Sequence, residues 1–286
     1  MFDNIFAAIE KWMRELLTGM VESNMSTMFT DVNEKTSEIA AQVGRTPQNW
    51  NSSVFSMIQN LSESVVVPIA GIIITLVLCY ELISMLTERN NLHDVDTWMF
   101  FKYFVKAWVA IYLVSNTFTI TMAVFDVGQS VVNSASGIIN GETAIDVSSL
   151  SMQMQAAMAT MEIGELVVLA LETFLVSFCM KIMSVVITVI VYGRMIEIYL
   201  YTSLAPIPFA TMSNREWGHV GTNYFRGLFA LAFQAFLMMV CVAIYAALIS
   251  SVRISSNMHS ALIGVAAYTV ILCFSLMKTG SLSKQI

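Results

Sequence analysis

Five long apolar runs dominate the chain, at about residues 65–86, 104–125, 165–193, 227–250 and 260–277. Each has the length that a helix needs to cross a hydrocarbon core about 30 Å thick. The pattern predicts an all-α polytopic membrane protein with about five transmembrane helices. Ahead of the runs, Phe2, Ile5, Phe6, Ile9, Trp12, Met13, Leu16, Leu17 and Met20 recur at spacings of three and four, with Asp3, Glu10, Lys11, Arg14 and Glu15 mostly elsewhere. Residues 1–21 therefore read as an N-terminal amphipathic helix. It serves either as an anchor on the outer leaflet or a neighbouring subunit, or as a small helix packed on its own bundle. Residues 22–62 are polar, with a break at Gly44 to Pro47, and are expected to form an exposed extracytoplasmic cap. This gives a division into an amphipathic N-terminal region, 1–64, and a transmembrane domain, 65–286. The N-terminus has neither a basic leader nor an uninterrupted apolar core, so it is expected to remain in the mature protein.

The apolar character of the third run continues through MIEIYLYTSLAPIPFA, which raises the question of a sixth span. Two spans within 165–210 would require a turn near Lys181, yet VSFCMKIMSVV offers no Gly, Pro, Asn or Asp to make one. Charge placement gives an independent test. Five spans with the N-terminus outside and the C-terminus inside put Arg89, Lys102, Lys106, Arg194, Arg215, Arg226, Lys278 and Lys284 on the inner side. The loop 126–163, which holds no Lys or Arg, then falls outside. A sixth span would move Arg215, Arg226, Lys278 and Lys284 outward and erase the bias. Residues 194–226 become an inner elbow, although a re-entrant, an interfacial and a spanning form of 194–212 all remain open.

Composition agrees with a bilayer: 57% of residues are hydrophobic and 12% charged, against about 25% charged in a typical soluble domain. The net charge of −6 excludes a general basic surface for holding nucleic acid by its phosphates. Cys79, Cys179, Cys241 and Cys273 are scattered through apolar runs and read as small buried hydrophobes. His93, His219 and His259 are isolated, and no nucleophile–base pair, metal-ligand spacing or phosphate-binding loop is present. The chain is thus expected to be no enzyme and to need no cofactor or metal. Met152, Met154, Met158 and Met161 are better suited to filling irregular contacts than to ligating copper.

Ionisable groups within a span face protein or water. Glu172 and Lys181 in the third run fall on opposite sides of a helix at 100° per residue, so they cannot pair with one another. They support a second reading, a small-solute or ion permease. Arg194 and Glu197 are expected as a local pair, while Ser115, Asn116, Thr119 and Gln234 are candidates for hydrogen bonds between helices.

The remaining signal lies in the elbow. Pro206 and Pro208 each remove a backbone donor, which is costly in lipid unless the break lies against protein, headgroups or water. One reading is a kinked helix end with an interfacial loop anchored by Trp217 and Tyr224. The other is a re-entrant elbow lining a path or docking a partner through Arg215, Glu216 and His219. The succession RMIEIYLYTSLAPIPFA, MSNREWGHVGTN and YFRGLFALAFQAFLMM, with Glu197, Ala205-Pro206-Ile207, Phe209-Ala210, Arg226 and Gln234, resembles the central region of TrbL-like inner-membrane subunits of type IV secretion and conjugation machines. The likeness is to the versions on Gram-positive conjugative elements, and the paired prolines with the Trp217 turn depart from it. The resemblance implies a non-enzymatic channel subunit in the bacterial cytoplasmic membrane, in contact with lipid and assembled as a homo-oligomer. It further implies other secretion subunits as partners, cytoplasmic ATPases among them, and a relaxase-bound single strand of DNA as a transient substrate.

Overall fold

The computed structural model describes residues 2–87, 97–139, 147–214, 216–251 and 258–285, and all regular structure in them is helical. The helices are α1 (Phe2–Val43), α2 (Pro47–Trp50), α3 (Ser52–Leu61), α4 (Val67–Thr87), α5 (Thr97–Ser115), α6 (Thr117–Ile139), α7 (Val147–Met158), α8 (Ile163–Ser203), α9 (Pro206–Thr211), α10 (Gly218–Ser250) and α11 (Met258–Ser283). Among the described residues five helical stretches are long and apolar enough to cross a membrane: Ser52–Thr87, Thr97–Ser115, Ile163–Ser203, Gly218–Ser250 and Met258–Ser283.

Local chemistry explains the punctuation. The predicted break after Val43 is present: Thr46 caps α2 through its side chain, with Pro47 at the first helical position, and Asn51 caps α3. Between α3 and α4 a single π-helical turn, Ser62–Val66, places the Val67 N–H on the Ser62 carbonyl. The wide turn lies just before Pro68, whose ring would otherwise press on the carbonyl four residues back. The second crossing helix lies earlier than expected, because the chain breaks at Asn116 instead of continuing to residue 125. There the Asn116 amide donates to the Tyr112 carbonyl (2.9 Å) and Thr117 to that of Leu113 (2.8 Å). The Asn116 amide thus bonds back to the turn before it, where its sequence position had suggested a bond to another helix. Much of the expected outer loop 126–163 is also helical, in α6 and α7.

The contacts divide the chain into two compact units. The first comprises residues 1–43, 133–191 and 237–279. Its core is rich in methionine: Met25, Met28, Met158, Met238, Met239 and Met258 are fully buried with Leu166, Leu169 and Leu262. Met154 and Met158 of α7 are thus packing residues, as their flexible thioethers suit, and the Arg14 guanidinium ties α1 to the Met161 carbonyl at 2.7 Å. The polar stretch after residue 22 is not a separate cap segment but the continuation of α1, packed on α8. In contrast, Ile5, Phe6, Ile9, Trp12, Leu16 and Met20 are exposed, so the apolar side of the amphipathic N-terminus does not pack on its own bundle. Tyr245 on α10 and Thr269 on α11 share a buried hydrogen bond of 2.9 Å, and Thr269 donates to Val265.

The second unit comprises residues 44–132, 192–236 and 280–286. Trp50 packs edge-on to Tyr192 (5.3 Å between centroids), and the Tyr199 hydroxyl donates to the Pro47 carbonyl at 2.6 Å. Gly128 of α6 lies against Ala232 of α10 so closely that a Cβ would come within 3.0 Å of the Ala232 oxygen.

The Tyr245–Thr269 bond predicts that Tyr245→Phe lowers stability by about 0.5–1.5 kcal/mol, since the hydroxyl is lost without opening a cavity. Thermal unfolding of the detergent-solubilised protein measures this; an unchanged midpoint would show that the bond adds nothing net.

Candidate functional site

The elbow joins α8 to α10, and its core is the short helix α9. Pro206 and Pro208 fall in the first turn of α9. Helix N–H groups there have no intrahelical acceptor, so neither proline forfeits a bond. Ala205 keeps an α-region backbone (φ −50°, ψ −40°), and the Ala205 N–H reaches the Thr202 carbonyl at 3.3 Å. The break at the prolines is therefore a tight turn between two helices.

Placement against protein resolves the cost of interrupting a helix in an apolar chain. Ala205, Phe209 and Ala210 are buried with Ala70, Ile74 and Leu78 of α4 and Ala110 and Val114 of α5. Tyr201 and Tyr224 close the turn by exchanging hydrogen bonds: each hydroxyl donates to the other's carbonyl, at 3.3 and 2.7 Å, with the rings stacked 4.5 Å apart. Two glycines permit this closeness. A Cβ on Gly227 would strike the Tyr201 hydroxyl, and one on Gly221 would strike Met212 and lie 2.6 Å from the Pro208 carbonyl.

A polar latch holds the far side of the elbow. The buried Asn214 carboxamide oxygen accepts from the N–H groups of Glu216 (2.7 Å) and Trp217 (3.1 Å), at the start of α10. Its amide donates to Glu81 of α4 at 3.3 Å, and Glu81 pairs with Lys106 of α5 at 2.5 Å. The Tyr80 hydroxyl donates to Glu216 (3.0 Å), and the Tyr80 ring stacks on Trp217 at 5.4 Å. Trp217 is thus held by protein while 42% exposed, which serves both readings of the elbow. His219 and Arg226 are exposed, and Arg215 lies outside the described residues.

The other polar positions distribute differently from expectation. Arg194 is buried and donates to the Leu231 carbonyl (3.4 Å), and Glu197, whose charge acts on Arg194, also pairs with Lys284 at 3.5 Å. Gln234 is buried beside Gly280. Glu172 is hydrogen-bonded to His259 of α11, and Lys181 is exposed. The two groups of the permease reading do not share a face. No cluster of three or more His, Cys, Asp or Glu suited to a metal occurs among the described residues.

Sequence reading passed over Glu81, Asn214 and Tyr80, and counted Lys106 only as a topological charge. The available signal was an acid in VLCYELISML and a base in FVKAWV, two ionisable groups in neighbouring apolar runs.

The sequence model of the TrbL/VirB6 plasmid conjugal transfer like protein family matches residues 32–206. The chain belongs to that family. It is a multi-pass cell-membrane protein, and TrbL/VirB6 membership makes it a component of conjugal transfer or type IV secretion systems. The TrbL/VirB6 match includes Arg194, Glu197 and Pro206, so it overlaps the resembling stretch, which starts at Arg194, over residues 194–206. No curated protein and no solved structure matches the chain significantly.

The latch predicts that Asn214→Ala destabilises the elbow by about 1–2 kcal/mol through loss of the cap and raises protease cleavage within 212–217. Arg226→Ala, at an exposed position, leaves both unchanged. Equal protease resistance of the two variants in limited proteolysis would refute the latch.

Proposed function

We propose that this TrbL/VirB6 family protein is a structural channel subunit of a type IV secretion machine, helping to form the membrane path of a relaxase-bound single strand. The observation that carries the reading is the family match over 32–206, which embraces three of the five candidate crossing helices and reaches the first proline of the elbow. A net charge of −6 and the lack of a cationic stripe interleaved with aromatics suit a conduit, which must release its polyanionic cargo. Work on the substrate then comes from cytoplasmic ATPases, which the chain meets on its inner side along with other transfer subunits.

In this reading the N-terminus is outside and the C-terminus inside, the protein is a homo-oligomer bathed by lipid, and residues 194–226 form the inner elbow. Exposed Trp217, His219 and Arg226, presented by a rigid turn, are the groups offered to a partner.

Disrupting the gene is expected to abolish conjugal transfer, scored as transconjugants per donor; unaltered transfer would sink the proposal. Replacing Pro206 and Pro208 together by Ala lets α8 continue through the turn. Since such exchanges alter stability by about 1 kcal/mol or less, transfer should fall further than the membrane level of the protein. Equal losses, by immunoblot of membranes beside the transfer assay, would reduce the elbow to a folding element.

A further inference from the structure

Within the second unit, α4 and α5 present outer faces of opposite kind. α5 exposes Phe104, Trp108 and Tyr112, one at every fourth position, with the Trp108 and Tyr112 rings stacked 5.9 Å apart. α4 carries small groups at the same spacing: half-buried Gly71, where a Cβ would meet nothing within 4 Å, then exposed Thr75 and Cys79. The exposed side of α8 differs from both, since Val168, Leu171, Leu175, Phe178 and Ile182 are what a lipid-facing surface needs.

Depth makes Trp108 the informative residue. α5 has 19 residues and rises about 28 Å, only just enough to cross, so its ends lie at the two limits of the hydrocarbon. Trp108 is seven residues from the nearer end, Ser115, and so about 10 Å inside. A lipid-facing tryptophan belongs near the headgroups, where its N–H finds an acceptor. This one is 68% exposed, and no acceptor among the described residues meets its indole N–H. Hydrocarbon supplies none, so the acceptor comes from another protein surface at the same depth.

Register identifies that surface. Consecutive crossing helices run antiparallel, and two contacts fix their levels: the Tyr103 hydroxyl donates to the Leu78 carbonyl at 3.0 Å, and Lys106 pairs with Glu81 at 2.5 Å. Trp108 is then level with Thr75 to within about one turn, as Tyr112 is with Gly71 and Phe104 with Cys79. Thr75 Oγ1 donates to the Gly71 carbonyl at 2.7 Å and keeps its lone pairs for a second donor. The same contacts bring Lys102, which lies over the Trp98 ring, to the layer of Tyr80 and its partner Glu216. One flank therefore carries bulky donors and a cation, and the other carries small groups, an acceptor and an acid at matching levels. Copies of a membrane protein are related by an axis along the membrane normal, so groups at one depth meet their counterparts at that depth.

We propose that α5 of one copy packs on the α4 face of the next, with Phe104, Trp108 and Tyr112 over Cys79, Thr75 and Gly71 and the Trp108 N–H on the Thr75 hydroxyl. Small residues on one side let the helices approach closely, which is how helices associate where lipid removes the hydrophobic drive. Each copy has one face of each kind, so the contact is head-to-tail and closes into a ring. The inference rests on the homo-oligomer of the channel reading, to which it gives the interface.

Native Cys79 supplies half of the test. In membranes containing full-length Val105→Cys protein, a membrane-permeant oxidant or a short bifunctional maleimide should link the introduced thiol to Cys79 of the next copy. A non-reducing gel should show a ladder of dimers, trimers and larger species, and adding Cys79→Ser should remove it. Absence of linked species overturns the proposal, and so does any linked species that survives Cys79→Ser, because α5 then meets a different face. Where Val105→Cys does not accumulate, Trp108→Ala in the native chain is compared with Phe178→Ala on a native gel in mild detergent. Loss of an aromatic anchor should shift the first roughly tenfold or more towards monomer and leave the second unchanged; equal oligomer content overturns the proposal. Ladders formed while gene disruption leaves transfer intact would remove the channel reading and keep the interface, and lost transfer without ladders would do the reverse.

Discussion

Hydrocarbon offers no hydrogen bonds, and the whole architecture follows from that refusal. A helix that stops, or a charge that appears within an apolar run, must find its partner in the same chain or in water. The elbow satisfies the rule twice. Its backbone never leaves helical geometry for long, because both prolines occupy positions where no donor is wanted. Its loose ends are closed by side chains from α4 and α8: Tyr201 on one flank, Glu81 and Tyr80 on the other. Small residues follow from the same demand. Ala70, Ala110, Ala205 and Ala210, with Gly221 and Gly227, let backbones approach closely where the hydrophobic effect gives no driving force between helices.

The latch illustrates how charge is handled. Lys106 and Glu81 come from adjacent apolar helices and compensate each other, and Glu81 has a second oxygen left for Asn214. That coupling ties the start of α10 to α4 and α5, so a cap at a helix terminus also sets the position of the elbow. A buried amide is well chosen for this task. It accepts from two backbone donors and still donates to a carboxylate, which an ionised aspartate cap, having no donor, cannot do.

What was legible in the sequence and what was not divide along one physical line. Features set by composition over many residues were readable: the five apolar runs, the break before Pro47, and the interruption at the prolines. Features set by which face a residue occupies were not. Arg194 and Glu197 have the spacing of a pair, but the further partners that packing gives them, the Leu231 carbonyl and Lys284, are not written in that spacing. Asn116 has the composition of an interhelical donor but bonds to its own turn, and in doing so ends α5 short of the residue that hydropathy alone selects. The tie from α4 to the elbow was invisible because Glu81 and Asn214 are 133 residues apart and Tyr80 and Glu216 136, and only packing brings them together.

The N-terminal helix shows why average polarity misleads in such a chain. Over its 42 residues α1 has neither the hydropathy of a span nor the even polarity of a soluble helix. Read by face, it is two segments: one with an apolar exposed side to Met20, and one that buries apolar residues and exposes hydroxyls from Ser23. Its second segment runs parallel to α8, with Asn24 and Lys35 meeting Ser177 and Thr188, so one helix offers two different surfaces along its length and no average over the whole describes either.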